Sequence, residues 1–416
     1  MKTIALLTWK SINNRRSSAL LTVFTVAISM LLLLGVERIR TQAKDSFANT
    51  ISNTDLIVGA RSGEVNLLLY SVFRIGNATN NIDWQSYQKL AGQADVKWSI
   101  PISLGDSHRG FRVMGTNTDY FKFYQYGNRQ ALQFDSGQPF AQLFDTVIGA
   151  DVARKLGYSV GSKIIIAHGI SDKSFTRHDN LPFKVVGILA PTGTPVDKTV
   201  HLSLAAIEAL HSGWNPAGNV GTSKNQHQPT FQPEQITAFM LGLKSKIKTF
   251  SVQRKINDYP TEPLTAIMPG VALHQLWSMM SIAEQALLAI SGFVVVAGLL
   301  GMLSCLLTSL QERRREMAIL RAMGARPGHI FALLVAEATL ITAAGISLGV
   351  SFLYLLLAAI APLINSRFGI SIESASISTH ELKLIVTVLL GGMLIGLIPA
   401  FRAYRQSLAD GMTIRI

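Results

Sequence analysis

The chain has 416 residues, of which 48% are hydrophobic and only 15% charged, a balance that argues against a disordered chain and assigns part of it to lipid. Its formal net charge of +13 does not point to nucleic acid, because Lys10, Arg15, Arg16, Arg313 to Arg315, Arg321, Arg326, Arg402 and Arg405 flank apolar runs, where basic residues set topology. A single cysteine, Cys305, excludes an intrachain disulfide and a cysteine-based metal cluster.

Residues 1–16 read as an interfacial amphipathic helix, with Ala5, Trp9 and Ile12 on one side and Lys2 and Lys10 placed to meet anionic headgroups. Residues 17–36 are uncharged and long enough to cross the hydrocarbon core, which predicts the first transmembrane helix. A signal peptide competes with that reading; no A-x-A site follows Gly35-Val36-Glu37-Arg38, so an uncleaved anchor is expected. Ser18, Thr22, Thr25 and Ser29 share one face, which fits either close helix packing or hydroxyls bonded back to their own helix.

From 37 to 281 no membrane-length apolar run occurs, and the texture is that of a soluble mixed α/β domain on the far side of the membrane from the basic N-terminus. Phe111 to Gly115, Lys163 to Ala167, Phe183 to Leu189 and Ile236 to Leu243 read as strands. Trp84 to Ala91, Asp151 to Leu156 and Leu204 to His211 read as helices. Ser212 to Pro233, rich in Gly, Asn, Gln and Pro, is expected to be a mobile loop.

Three further spans follow, at 282–310, 331–360 and 382–401. Ala297 and Gly301 in the second span, Gly345 and Gly349 in the third, and Gly392 and Gly396 in the fourth have the small-xxx-small spacing that lets helices approach closely. Residues 365–381 are then a short outer loop, and 402–416 a tail on the inner side.

Between the second and third spans lies 311–330, QERRREMAILRAMGARPGHI, whose five arginines put it on the cytoplasmic face. It is expected to be a surface helix with an apolar side of Met317, Ile319 and Leu320, with Arg313 to Arg315 and Arg321 in water, stopped at Gly324-Ala325-Arg326-Pro327. Glu337, about two turns into the third span, is the one ionisable residue at that depth; a packing or snorkelling role is expected of it rather than an ion site.

The run E-R-R-R-E-M-A-I-L-R-A-M-G-A from Glu312 to Ala325, entering an apolar helix that carries Glu337, resembles the cytoplasmic loop of the FtsX/MacB-like family of ABC-transporter permeases. VIGADVARKLGYSVGSKIII and FKVVGILAPTGTPVDKTVHLSL are similar to the periplasmic domain of that family, so most of the chain is covered. The resemblance implies an α-helical membrane protein with four transmembrane helices and a large periplasmic mixed α/β domain. That domain would have a porter-like part at 45–135 and 234–269 and an inserted MacB-like part at 140–233, whose likeness is carried by Val147 to Ser203. It also implies that Glu312, Arg313, Arg314, Arg315, Glu316, Leu320, Arg321 and Gly324 couple to a separate cytoplasmic ABC ATPase, which would hold the ATP and magnesium, this chain needing no cofactor. A second permease subunit, identical or not, membrane lipids and a periplasmic cargo or adaptor are the other implied partners, and the bacterial inner membrane the implied location.

No G-x-x-x-x-G-K-[ST] or H-E-x-x-H occurs in these residues, and a non-catalytic permease subunit is expected. With little polar lining in the spans, mechanotransmission to a domain acting on a lipoprotein, peptide, hydrophobic small molecule or metal-linked factor fits better than solute passage. The alternative is a membrane-anchored periplasmic binding or sensory module without ATPase coupling. A zinc-linked version of it would draw on His168, His178, His201, His211 and His227 with Asp172, Asp179 and Asp197, although no pair has helical i, i+4 or H-x-H spacing, and no metal site is assigned.

Overall fold

The computed structural model describes residues 16–168, 181–212, 231–312, 314–368 and 377–405; at 168, 312, 314, 315, 320 and 361–368 it describes the backbone. The expected interfacial helix, most of the Ser212 to Pro233 loop, part of the 365–381 loop and most of the tail lie outside these residues. The chain forms two compact units, one of Met1–Gln42, Ser281–Leu363 and Ile372–Ile416, the other of Ala43–Met280 and Ile364–Ser371.

Helix α1 (Arg16–Ala48) is continuous well past the apolar run that ends at Val36. Nothing in Glu37 to Ala48 breaks it: the stretch has no Gly or Pro, and a helix propagates once nucleated whether or not its next turns are apolar.

The α/β unit is built on strands β1 (Leu56–Ala60), β2 (Ile82–Asp83), β3 (Val96–His108), β4 (Phe111–Thr116), β5 (Gln125–Tyr126), β6 (Gln130–Ala131), β7 (Phe134–Gly137) and β8 (Asp145–Ile148). After these come β9 (Lys163–Ile164), β10 (Ala167–His168), β11 (Phe183–Leu189), β12 (Thr199–Ser203), β13 (Gln235–Ile236), β14 (Ala238–Leu243) and β15 (Leu264–Ile267). Its helices are α2 (Glu64–Leu68), α3 (Trp84–Ala91), α4 (Asp119–Phe123), α5 (Ala150–Leu156), α6 (Leu204–His211) and α7 (Thr249–Asn257). Helix α2 runs on into a π-helical turn, Leu69–Phe73, closed by Arg74 in the left-handed region at φ 61°.

One sheet runs through the unit in the order β15-β1-β14-β3-β4-β12-β8-β11-β7. The long strand β3 joins its two halves: Val96 to Ile102 pairs with β14, Ser103 to His108 with β4, and a register shift between Leu104 and Ser107 marks the bend. The parallel pair β4–β12 carries the sheet on, so the segment expected to be an inserted subdomain shares one sheet with the part that flanks it. Strand β14, AFMLGL, is buried at every position, as a central strand covered on both faces requires. Lys163 to Ala167, expected as one strand, is two short ones, with Ile165 and Ile166 between them.

The helical unit consists of most of α8 (Pro269–Glu312), α9 (Arg314–Ala322), most of α10 (Pro327–Phe368) and α11 (Thr379–Arg405) with the first part of α1. Four helices, α1, α8, α10 and α11, are long and apolar enough to cross a membrane. Helix α8 begins 13 residues before the expected span, with its proline at the first helical position, where a missing N–H costs nothing.

Candidate coupling site and charged collar

The basic loop folds as α9, and its burial pattern divides it into two faces. Met317 is buried with Leu310 of α8, Ile330 and Leu334 of α10, and Ala400 and Ala403 of α11, and Ala318 beside it in sequence is buried too. Burying a side chain the size of Met317 stabilises the arrangement by about 1.5–3 kcal/mol. Arg321 pins the same face through Nη2, which donates to the carbonyls of Ala403 at 3.0 Å and Tyr404 at 3.4 Å. Both carbonyls lie in the last described turn of α11, so the arginine ties that helix to α9.

The opposite face is open. Ile319 is 59% and Met323 72% exposed, and Glu316 is exposed beside them. Ile319 is expected on the apolar side and Arg321 in water; the helix is rotated from that expectation, with Met317 and Arg321 turned to the neighbouring helix ends and Ile319 exposed. Gly324, at φ 96°, ends α9, and the Arg326 backbone N–H donates to Nδ1 of His329 to start α10. The side chains of Glu312, Arg313, Arg314, Arg315 and Leu320 lie outside the described residues.

Of the six small residues expected at helix contacts, four are at contacts. A methyl group at Gly345 would meet Val26 at 2.7 Å, one at Gly349 the carbonyl of Ala27 at 2.6 Å, one at Gly392 Thr342 Oγ1 at 2.2 Å, and one at Gly396 Ala338 Cβ at 2.5 Å. Ala297 and Gly301 are exposed, and nothing lies within 4 Å of the position a methyl would take at Gly301. The close approach on α8 is made one residue along, by Gly298, where a methyl group would meet Ser29 Oγ of α1 at 2.6 Å. Ser29 serves both readings of the hydroxyl face, donating to its own helix at Thr25 (2.9 Å) and to Val294 of α8 (3.2 Å), whereas Thr22 and Thr25 bond only within α1 among the described contacts. Glu337 is buried within the helical unit rather than turned out toward the interface as snorkelling would require.

At the end of the helical unit away from α9, ionisable residues of α1, α8 and α11 meet, with a tyrosine of α10 beside them. Glu37, Arg38 and Arg40 come from α1, Glu284 from α8, Tyr354 from α10, and His380 and Glu381 from α11. Arg38 Nη1 donates to both carboxylate oxygens of Glu381 at 3.0 Å and lies against the Tyr354 hydroxyl at 3.4 Å. Arg40 Nη2 donates to Glu37 at 2.7 Å and its Nη1 reaches Glu284 at 3.5 Å, while His380 Nε2 stands 3.5 Å from Glu37. Glu381 also closes α11: it accepts from the Ser378 N–H at 2.9 Å, and Ser378 Oγ accepts from the Glu381 N–H at 3.1 Å. That S-x-x-E box was the local signal in the sequence that marked Glu381; the pairing with α1 had none.

The candidate metal residues do not gather. No group of three His, Cys, Asp or Glu side chains able to hold a metal occurs among the described residues. His201 is buried between Tyr120 and Phe121 with Nδ1 at 3.2 Å from the Val147 carbonyl, and burial pushes its pKa down to about 3. His211 faces Asp106 at 3.5 Å, whose hydrogen bond raises its pKa. Asp197 takes N–H and hydroxyl bonds from Thr192 and Gly193. His178, His227, Asp172 and Asp179, and the His168 side chain, are outside the described residues.

Residues 19–259 match the family model for the MacB-like periplasmic core domain and residues 288–409 that for the FtsX-like permease C-terminal domain. The chain belongs to the MacB/FtsX-like family of ABC-transporter permeases. This MacB-like permease is 24% identical over 326 residues to the macrolide export ATP-binding/permease protein MacB of Shewanella sp. (strain W3-18-1), covering 76% of this chain and 45% of that protein. It is 26% identical over 242 residues to the pyoverdine export ATP-binding/permease protein PvdT of Pseudomonas aeruginosa, covering 56% and 33% of the two chains. The chain thus spans about half the length of the curated MacB relative it matches. The periplasmic region of MacB from Actinobacillus actinomycetemcomitans aligns with 55% of this chain and 94% of its own at 8% identity and a TM-score of 0.35. The MacB-like permease is therefore a membrane protein whose four spanning helices accompany a large periplasmic α/β domain.

Proposed function

We propose that this chain is the permease component of an inner-membrane ABC transporter and that α9 is the surface on which a cytoplasmic ATPase subunit docks. The observation that carries this reading is the two-sided build of α9. Its inner face is fastened to the ends of α8, α10 and α11, while Ile319, Met323 and Glu316 are left outward. Exposed apolar side chains beside fixed charge are what a protein contact uses: the apolar pair supplies affinity and the charge supplies orientation.

A push on α9 acts on the ends of three helices at once, because its inner contacts are with all three. The charged collar joins those helices to α1 at their other ends, and α1 and α8 each continue without a break into residues of the periplasmic unit. ATP and magnesium would be held by the partner, and the periplasmic domain would act on cargo. The macrolide and pyoverdine export roles in the names of the relatives favour outward handling of a small molecule, in a dimer of permease chains.

A photo-crosslinker placed at Met323 tests the docking surface. The reading predicts a nucleotide-binding polypeptide crosslinked at Met323 and none at Gly292, an open position on α8; equal yields at both positions would contradict it.

A further inference from the structure

The α/β unit carries a half-open cavity of about 590 Å³ where the end of α1, the loop after the π-helical turn, the β3–β4 turn and the 193–199 segment come together. That volume is in the range of small-molecule sites, about 300–1,000 Å³. Five cations border it: Arg74, Arg109, Arg112, Lys155 and Lys198. None of its described lining residues is acidic, and Phe47, Phe73 and Phe111 supply an apolar wall.

The cations are held there at a cost. Arg74 and Arg109 stand in left-handed backbone at φ 61° and 46°, a sparsely populated region for residues other than glycine, which persists where surrounding structure enforces it. Arg112 is fixed by bonds from Nη1 to Asn77 Oδ1 at 3.0 Å and from Nη2 to the Gly76 carbonyl at 2.8 Å. Lys155 lies over the Phe111 ring. Burial, and then Arg74, lower the pKa of Arg112; burial, and then Lys155, lower that of Lys198. Arg112 and Lys198 therefore stand partly dehydrated within the field of a neighbouring cation, an arrangement that an anion relieves.

We propose that this cavity binds an amphipathic anion, its apolar body against Phe47, Phe73 and Phe111 and its carboxylate or phosphate group among Arg109, Arg112, Lys155 and Lys198. Aromatic wall and clustered cations ask for both parts in one molecule: a bare anion leaves the rings wet, and a neutral apolar molecule leaves the cations repelling. The inference rests on the cavity alone and stands whether or not α9 docks an ATPase.

Titration calorimetry of the full chain in phosphatidylcholine nanodiscs tests it, with octyl phosphate, octanol and inorganic phosphate as probes and empty nanodiscs subtracted. Octyl phosphate is expected to bind about tenfold or more tightly than either other probe, and less tightly as salt rises. The Arg109→Gln, Lys155→Gln variant removes two exposed cations from the rim and should weaken octyl phosphate about tenfold, with Lys155→Arg retaining affinity and Lys97→Gln, an exposed cation on β3, serving as the unaffected control. Inorganic phosphate binding as tightly as octyl phosphate would mean a free-anion site and overturn the amphipathic assignment. Octyl phosphate binding that ignores the double variant, or no binding above empty nanodiscs, would overturn the site itself.

Discussion

Arg38 of α1 and Glu381 of α11, 343 residues apart in the chain, are joined by a buried ion pair in which one guanidinium nitrogen donates to both carboxylate oxygens at 3.0 Å. Because Glu381 also caps α11 through Ser378, the pair ties the first turn of one transmembrane helix to the side of another.

Glu381→Gln keeps a side chain able to fill the cap and removes only the charge that faces the buried Arg38. Breaking one half of a buried pair costs about 3–5 kcal/mol, whereas replacing both halves by apolar side chains of similar volume is often neutral. Thermal unfolding in detergent should therefore show a large drop for Glu381→Gln and recovery of most of it in Arg38→Met, Glu381→Met. A double variant as unstable as the single would show that the cap, and not the pair, holds this end.

Gly349→Val places carbon atoms where the Ala27 carbonyl and Met30 Cβ already stand, 2.6 and 3.0 Å from the first of them. Overpacking of this kind costs about 1–3 kcal/mol, and a melting curve should register it. Gly301→Ala meets no atom within 4 Å and should leave the melting temperature of the chain unchanged, which separates a helix contact from mere helix propensity.

His201 supplies a pH dependence of defined sign. Burial holds it neutral down to about pH 3, whereas the unfolded chain protonates it near its ordinary value of about 6.5. The unfolded state thus binds the extra proton in that window, so the stabilisation is complete above pH 6.5 and lost as pH falls toward 3. Near the middle of the window each pH unit changes the folding equilibrium by about tenfold. The difference in urea midpoint between wild type and His201→Phe, followed from pH 7 to 4, isolates this residue from Asp197, whose burial acts in the opposite direction. Parallel curves for the two proteins would contradict the assignment.

The four spans and the α/β character of the rest were legible because they depend on local quantities: apolar length, alternation and breakers. Helices α3 and α6 and strand β11 likewise follow from patterns within a few residues. What escaped was set by partners distant in sequence. Strand β3 contains Pro101 and Gly105, which read as breakers, yet its two halves pair with different neighbours and remain one strand. The helix ends of α1 and α8 were taken from where apolarity stops, although helices do not stop there. Gly298, rather than Ala297 or Gly301, meets α1, since which small residue faces a neighbour depends on the rotation of the helix against a partner that spacing alone does not specify. The same rotation turned Ile319 outward on α9. The charged collar needs residues from four helices at once, and only its capping box had a local pattern.

The central claim is that the outer face of α9 receives ATP-driven force. It is tested most directly by purifying the tagged chain from its native membranes and measuring co-purifying ATP hydrolysis for wild type and for Ile319→Asp, Met323→Asp. Both side chains are exposed, so the variant should insert and melt as wild type does. The account predicts that it loses the hydrolysis that accompanies the wild-type chain. A folded variant that retains full co-purifying activity would contradict the claim and reduce α9 to a topological anchor.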